Sequence, residues 1–257
     1  MRGIVTYAVL PLRAEPNHRS EMVSQLLFGE TYIIIDKTKN WIHIECDFDH
    51  YRGWIELSSH TDFTAPATDT TAQSRFVTHR LFTPVNDSLS GEIIHIPAGS
   101  SVPGFNNNKI EIGNVVYRFP YAPYELKSAG NPENVVKQAM HFLNTPYLWG
   151  GRNPYGMDCS GFVQISFKMI GIDLPRDASQ QINTGKIVDF VDEAKPGNLA
   201  FFDNKEGEII HVGIILSNNH IIHCSGKVRI DMLDHFGIFN RETKTYSHSL
   251  RIIKTLG

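Results

Sequence analysis

The stretch Met157-Asp158-Cys159-Ser160-Gly161-Phe162 decides the fold prediction, because a short polar run leads directly into an apolar segment with helical spacing. The apolar residues on one helical face are Phe162, Val163, Phe167 and Ile170. Asp158 is a favourable N-cap residue, and Gly171 stands where such a helix would stop. Cys159 is therefore predicted in the first helical turn, where backbone N–H groups and the helix dipole favour a thiolate.

Two downstream histidines lie in strand-like segments. His211 belongs to an apolar run over residues 209–216, and His223 lies in the next predicted strand. A thiol at a helix start with histidines on later strands is the arrangement in which a cysteine nucleophile meets its base and a third, orienting group. The structural alternatives are that Cys159 packs as a small hydrophobic residue and that His211 is a hydrogen-bonded core residue.

The spacing of the histidines constrains the strand register. Gly213 shares a strand face with His211, and a glycine there would let another backbone or a helix end approach closely. For His223 to share that face, the intervening loop needs an odd number of residues or the strand pair needs a bulge. A two-residue turn at Asn218-Asn219 would place the histidines on opposite faces. Cys224 points away from His223 and is predicted to be core.

Composition excludes several classes of function. The 257 residues are 41% hydrophobic and 20% charged, and the net charge of −3 gives no reason to expect nucleic acid or a membrane as partner. Three scattered cysteines are too few for a disulfide framework, and the lack of a CxxC pair argues against a structural zinc site. A zinc site built from Cys159, His211 and His223 lacks the usual paired ligand spacing, so neither a metal nor a cofactor is predicted.

The N-terminal residues 1–11 contain a short apolar run without a small-residue cleavage site. They are predicted to form a first strand rather than a signal peptide. No run of about 18 apolar residues is present, so no membrane span is predicted. A cytoplasmic location is the resulting expectation, although a chain trimmed of its signal sequence would look the same.

Three segments follow one another along the chain. Residues 1–60 and 61–124 are predicted as two small all-β barrels joined by a linker over 58–74, and residues 125–257 as an α+β domain. The predicted β runs of the first two segments are 31–35, 41–46, 51–55, 75–82, 92–96 and 111–119. In the third segment, helices are predicted from Asn131, at Cys159 and from Asp177, followed by strands over 198–203, 208–216, 221–225 and 250–255.

Five motifs together resemble the NlpC-type cell-wall peptidases, which are papain-like cysteine peptidases that cut peptidoglycan stem peptides. The motifs are Thr145-Pro146-Tyr147-Leu148-Trp149-Gly150-Gly151, Asp158-Cys159-Ser160-Gly161-Phe162, Leu174-Pro175-Arg176-Asp177, His211-Val212-Gly213-Ile214 and Ile222-His223. The resemblance covers roughly residues 128–257. It implies a papain-like α+β peptidase domain with Cys159 as nucleophile, His211 as base and His223 as the orienting residue.

The same resemblance implies a set of substrate-binding residues, namely Trp149, Asp158, Ser160 and Arg176. Arg176 could hold a substrate carboxylate, and its structural alternative is a surface ion pair with Asp177. The family often has a serine two places after this arginine. Here Ala178 stands at that position, so the hydrogen bond of that serine is not expected.

The N-terminal segment carries a second resemblance. The stretch from Glu21 to Glu30, followed by Trp41 and by Tyr51-Arg52-Gly53-Trp54, is similar to the first bacterial SH3-like domain of a subgroup with two such domains before the peptidase. These enzymes are γ-D-glutamyl-L-diamino acid endopeptidases, and their first domain closes one end of the cleft and recognises the free amine of an N-terminal L-Ala. The resemblance implies Tyr51 and Glu21 for this role, with Glu30 as a competing carboxylate.

The expected function is a dipeptidyl-peptidase of cell-wall peptide recycling. Its substrate and only predicted partner would be the murein stem peptide L-Ala-γ-D-Glu-diamino acid, with lysine and diaminopimelate both open as the third residue. The alternative is a wall-binding module whose papain-like part is inert or transfers acyl groups. The intact set of Cys159, His211 and His223 argues against an inert domain.

Overall fold

A computed structural model describes residues 1–64, 75–126, 130–217 and 219–256. The chain divides into two units, Met1–Ser128 and Ala129–Gly257. The first unit consists of β-sheets and the second adds helices to an antiparallel sheet, so the predicted fold class is confirmed. The predicted domain boundary near residue 60 stays a prediction, and residues 65–74 of the predicted linker lie outside the described residues.

The first sheet of unit 1 has six antiparallel strands in the order β1-β4-β5-β6-β2-β3. Their bounds are β1 Arg2–Ile4, β2 Val9–Arg13, β3 Met22–Leu27, β4 Thr31–Lys37, β5 Trp41–Cys46 and β6 Arg52–Glu56. Alternate residues of β2, β5 and β6 point inward, because side chains along a strand alternate between the two faces. Their apolar members pack into one core that includes Leu12, Ile44 and Ile55.

The second half of unit 1 is also β-structure. Its strands are β7 Arg75–Val77, β8 Phe82–Asp87, β9 Ile93–Pro97, β10 Lys109–Ile112, β11 Val115–Arg118 and β12 Tyr124–Leu126. A four-stranded sheet has the order β10-β11-β8-β9, and β7 pairs with β12. Ile4 and Phe28 from the first half lie in the core of this second sheet, so the two halves share apolar packing.

Three sequence predictions in unit 1 differ from the structure. The predicted first strand over residues 1–11 is two strands, β1 and β2. The predicted strand over 75–82 ends at Val77, and β8 begins only at Phe82. The predicted strand over 111–119 is a hairpin of β10 and β11 that turns at Gly113, whose φ of 57° suits a glycine and interrupts an extended strand.

Unit 2 begins with short helices. A 3-10 turn, Pro132–Asn134, has Asn131 as its N-cap and leads into α1 Val135–Met140, as predicted. The remaining helices are α2 Cys159–Lys168, α3 Ala178–Gln181 and a second 3-10 turn, Val191–Glu193. A small hairpin of β13 Arg152–Asn153 and β14 Gly156–Met157 directly precedes α2.

Seven antiparallel strands form the main sheet of unit 2, in the order β15-β21-β16-β17-β18-β19-β20. Their bounds are β15 Lys186–Val188, β16 Leu199–Asp203, β17 Ile209–Ile215, β18 His220–Ser225, β19 Lys227–Asp234, β20 Gly237–Asn240 and β21 Thr245–Thr255. The four predicted strands are present, whereas β15, β19 and β20 were not predicted and β21 begins five residues earlier. Because β20 also pairs with β21, the strands from β16 to β21 close on themselves.

Helix α2 packs against β17 and β18, and all of its residues are buried. The helix ends as the sequence predicts. Gly171 has φ 82° and donates to the carbonyl of Lys168, while Ile172 donates to the carbonyl of Phe167. The packing fixes the start of α2 against the strand that carries His211.

Candidate active site

The start of α2 is organised by Asp158, which is the predicted N-cap. Its backbone is extended, and its Oδ1 accepts a hydrogen bond from the backbone N–H of Gly161 at 2.7 Å. A Cβ at Gly161 would lie 2.3 Å from the carbonyl oxygen of Gly151, so only glycine lets the preceding loop pack on this turn. The glycine-rich loop and the capped helix together place Cys159 at the first helical position.

The thiol of Cys159 lies against β17. The residue is 9% exposed, and the backbone N–H groups of Val212 and Ser160 favour the charged form of its thiol. Val212 directly follows His211 in β17. Helix α2 therefore packs on the strand of His211, as the predicted roles of Cys159 and His211 require, while a hydrogen bond between the two side chains stays a prediction.

Arg176 lies beneath this turn as part of a buried cluster. The side chain is 1% exposed, and Nη1 donates to Asp158 Oδ1 at 3.0 Å and to Ser160 Oγ at 2.9 Å. Nη2 donates to Asp158 Oδ2. The alternative of a surface ion pair with Asp177 is wrong, because the guanidinium lies in the interior on Asp158. The predicted contact of Asp158, Ser160 and Arg176 with substrate stays a prediction.

His211 and His223 meet on one face of the sheet. Gly213 pairs with His223 and Ile215 with Ile221, so an odd number of residues, 216–220, separates the last paired residues of the two strands, as the face-sharing condition requires. The Nε2 of His211 lies 2.8 Å from the Nδ1 of His223. Asn218 of the predicted turn lies outside the described residues.

Gly213 explains how the two imidazoles come so close. A Cβ at this position would lie 2.9 Å from the Cβ of His223 and 2.7 Å from the Cδ1 of Ile221. The sequence prediction was that the glycine admits a backbone or a helix end. Instead it leaves room for the His223 side chain on the neighbouring strand.

Three further residues surround the histidine pair, and none of them was predicted from the sequence. The Nε2 of His223 lies 3.0 Å from Asp231 Oδ2, and Arg229 holds the same carboxylate through Nε at 2.7 Å and Nη2 at 3.1 Å. His248 stacks on His211 with ring centroids 4.1 Å apart and an interplanar angle of 23°. Arg229 and Asp231 were missed because strand β19 was not predicted. The alternation of side chains along β19 places both residues on the face of His223.

Burial dominates the electrostatics of the site. It raises the pKa of Cys159 to about 12, helped by the charge of Asp158 and opposed by the Val212 N–H and by Arg176. Burial also lowers the pKa of His211 well below its ordinary value, with smaller contributions from His223 and His248. At neutral pH the thiol therefore keeps its proton and the His211 imidazole is neutral. Burial thus outweighs the effect of the helix start, which was predicted to favour a thiolate. This arrangement suits an imidazole that takes the thiol proton as the sulfur attacks.

The remaining predicted residues range from exposed to fully buried. Trp149 is 61% exposed in the loop before α2, and Cys224 is fully buried with its Sγ donating to the carbonyl of Met157 at 3.0 Å, as its core assignment predicts. In unit 1, Glu21 is exposed and Tyr51 is half-buried against the core of the first sheet. Glu30 is 3% exposed, and its carboxylate accepts from the Leu27 N–H at 2.9 Å.

Two features, a metal site and a membrane-spanning helix, are absent from the part of the chain that the structure describes. Within it, no group of three or more His, Cys, Asp or Glu side chains is arranged to hold a metal ion. No helix in the described ranges is long and apolar enough to cross a membrane.

Comparison with known proteins agrees with this geometry. Residues 144–246 match the NlpC/P60 family, and residues 12–59 match the bacterial dipeptidyl-peptidase Sh3 domain. The chain is an NlpC/P60 cysteine peptidase with an N-terminal bacterial SH3 domain. The first of these matches covers the loop before α2, the Cys159 helix and both paired histidines.

Individual relatives match different parts of the chain. A γ-D-glutamyl-L-lysine dipeptidyl-peptidase of Bacillus subtilis is 42% identical over 96 residues, which is 37% of this chain and 32% of that protein. Dipeptidyl-peptidase 6 of Lysinibacillus sphaericus is 26% identical across 91% of this chain and 92% of its own length. The crystal structure of an NlpC/P60 family protein from Bacillus cereus shares the fold, with a TM-score of 0.83, 17% identity and coverage of 100% of this chain and 99% of that one.

Proposed function

We propose that this dipeptidyl-peptidase cleaves the bond between γ-D-Glu and the L-diamino acid of murein stem peptides that carry a free N-terminal L-Ala. One observation carries the proposal: the hydrogen-bonded pair of His211 and His223, 2.8 Å apart, lies on strands packed against the helix that begins at Cys159. The relatives named γ-D-glutamyl-L-lysine dipeptidyl-peptidase support this choice of bond, and the relative named dipeptidyl-peptidase 6 supports the release of a dipeptide.

The proposed reaction is an acyl transfer to sulfur followed by hydrolysis. The Sγ of Cys159 attacks the γ-carbonyl carbon of D-Glu while His211 takes the thiol proton. The C–N bond to the diamino acid then breaks, and the imidazolium of His211 returns the proton to the leaving amine. Water activated by His211 hydrolyses the thioester, which releases L-Ala-D-Glu and restores the thiol. His223 keeps the His211 ring oriented through both steps.

The proposed specificity depends on the substrate's N-terminus. We assign recognition of the free ammonium to Tyr51 and Glu21, because Glu21 is exposed whereas the carboxylate of Glu30 is buried on the Leu27 N–H. In intact peptidoglycan the L-Ala nitrogen is an amide to the lactyl group of muramic acid and carries no charge. The proposed substrates are therefore peptides already released from the glycan. A role in cytoplasmic recycling of these peptides is part of the same proposal.

Direct hydrolysis tests this function. Purified protein is mixed with L-Ala-γ-D-Glu-L-Lys and, separately, with the diaminopimelate tripeptide, and release of L-Ala-D-Glu is followed by mass spectrometry. We expect cleavage of at least one tripeptide and no cleavage by Cys159→Ala, which should fold and still bind the peptide. Residual activity above a few per cent in Cys159→Ala would refute the nucleophile assignment. Binding without cleavage by the wild type would favour the wall-binding alternative.

A further inference from the structure

The polar chain of unit 2 continues beyond the paired histidines to a buried carboxylate. Asp231 is 3% exposed, and its Oδ2 lies 3.0 Å from the Nε2 of His223. We propose that Asp231 is a positioning residue that fixes the tautomers of His223 and His211, so that the free lone pair of His211 is on Nδ1. The effect of these tautomers on the reaction rate rests on the proposed function, whereas the assignment of the tautomers does not.

The tautomer assignment follows from the donor and acceptor inventory. An ionised carboxylate only accepts hydrogen bonds, so the Nε2 of His223 must carry the proton it shares with Asp231. In a neutral imidazole the other nitrogen is then an acceptor, and the Nδ1 of His223 accepts from the Nε2–H of His211 at 2.8 Å. His211 is thereby left with an unprotonated Nδ1. Asp231, which is linked to His211 through His223, thus decides which nitrogen of His211 can act as the base.

The sheet register builds this arrangement. In the pairing of β18 with β19, His223 faces Arg229 and Ile221 faces Asp231. Residues directly opposite each other share a sheet face, and so do residues two apart on one strand. His223, Arg229 and Asp231 therefore lie together on the face that carries His211, and no bulge is needed to align them.

Arg229 keeps the carboxylate ionised and balances its charge. Burial alone would raise the pKa of Asp231, but the hydrogen bonds from His223 and Arg229 outweigh it and the pKa is lowered on balance. The guanidinium holds both carboxylate oxygens, through Nε to Oδ2 and Nη2 to Oδ1. With Arg229 supplying the positive charge, a neutral His223 is sufficient to satisfy the buried Asp231.

Nitrogen spectra of the wild-type protein test the assignment without any substrate. Long-range ¹H–¹⁵N correlation spectra of protein labelled at the histidine rings distinguish the Nδ1–H, Nε2–H and doubly protonated forms. The resonances are assigned by their loss in His211→Gln and His223→Gln. We expect both rings as Nε2–H tautomers at neutral pH. A protonated Nδ1 on either ring would overturn the proposal, whether or not the protein cleaves any peptide.

Variants at Asp231 then connect the tautomer to the rate. Asp231→Leu removes the acceptor, so Nδ1–H forms should appear on both rings, and kcat should fall about 100-fold with KM changed less than about threefold. Asp231→Asn keeps an acceptor oxygen and should retain the tautomers. Arg229→Gln is the matched control, because it removes the charge partner but leaves the carboxylate on His223.

The outcomes separate positioning from a structural role. If Asp231→Leu is folded and its histidines keep the wild-type tautomers, the proposal is wrong even if its activity is low. If Asp231→Leu does not fold, the wild-type and Asp231→Asn spectra still decide the assignment. If no tripeptide is cleaved by wild type while both rings are Nε2–H, the proposed function fails and the positioning role stands.

Discussion

The two units hold their candidate functional residues in opposite ways. In unit 2, Cys159, His211 and His223 are each less than 10% exposed, and the two histidines form a hydrogen bond with each other. In unit 1, Glu21 is exposed and Tyr51 is half-buried at the edge of a core. Groups that exchange protons with each other need a fixed geometry and a dry environment, whereas groups that recognise a charged end can stay solvated until substrate covers them.

This difference predicts different responses to mutation. Changes in the buried network should reduce kcat, because they disturb proton transfer and ring orientation. Changes at Glu21 or Tyr51 should alter discrimination between substrates and leave the reaction on a neutral N-terminus little affected.

Replacing His211 should have the largest effect within the network. We expect His211→Gln to reduce kcat by about 10⁴-fold, because the only predicted base is lost, and His223→Gln to reduce it by about 10²-fold. The glutamine at position 223 can still accept from the Nε2–H of His211. Single-turnover rates of thioester formation measure both losses. Equal losses in the two variants would contradict the assignment of one as base and the other as orienting residue.

Blocking the substrate's N-terminus should have the next largest effect. Acetylation of L-Ala removes the charge that Tyr51 and Glu21 are proposed to bind, so kcat/KM of the wild type should fall by about 10³-fold. In a double variant, Glu21→Gln with Tyr51→Phe, the ratio between free and acetylated tripeptide should shrink to less than about tenfold. Equal cleavage of both peptides by the wild type would reject both the recycling role and the part of unit 1 in recognition.

The Asp158–Arg176 pair separates a structural role from a substrate-binding role. Arg176→Gln leaves a buried carboxylate without its cation, and we expect a loss of about 3–5 kcal/mol in the free energy of unfolding. Urea denaturation measures it, and an Asp158→Asn, Arg176→Gln double variant should recover part of the loss. Unchanged stability together with a raised KM would instead show that Arg176 holds a substrate carboxylate.

The sequence predicted local features better than long-range ones. The N-cap at Asp158 and the end of α2 at Gly171 each follow from a few neighbouring residues, and both are confirmed. The register of the histidine strands did not follow in this way, because a two-residue turn at Asn218-Asn219 would have placed the histidines on opposite faces, whereas the pairing of Gly213 with His223 places them on one face. Ser225-Gly226 marks a turn, and the alternation after it would have revealed β19 and with it Asp231. The contact of His248 with His211 depends on how β21 pairs with β16, which no local pattern shows.

The smallest expected effect is the pH dependence of stability that the buried histidines impose. Burial lowers the pKa of His248 to about 4 and that of His211 well below its ordinary value. In the unfolded chain both rings titrate near the ordinary value of about 6.5, so below that pH the unfolded state binds more protons than the folded state. The free energy of unfolding therefore decreases as the pH falls from about 6.5 towards 4, by at most about 1.4 kcal/mol per pH unit for each ring.

The variant His248→Phe tests this pH dependence, because it keeps the aromatic stack on His211 and removes one of the two titrating groups. Urea titrations of this variant should show a shallower decrease over that range. A variant whose stability depends on pH as steeply as that of the wild type would mean that His248 is already protonated in the folded protein at pH 6.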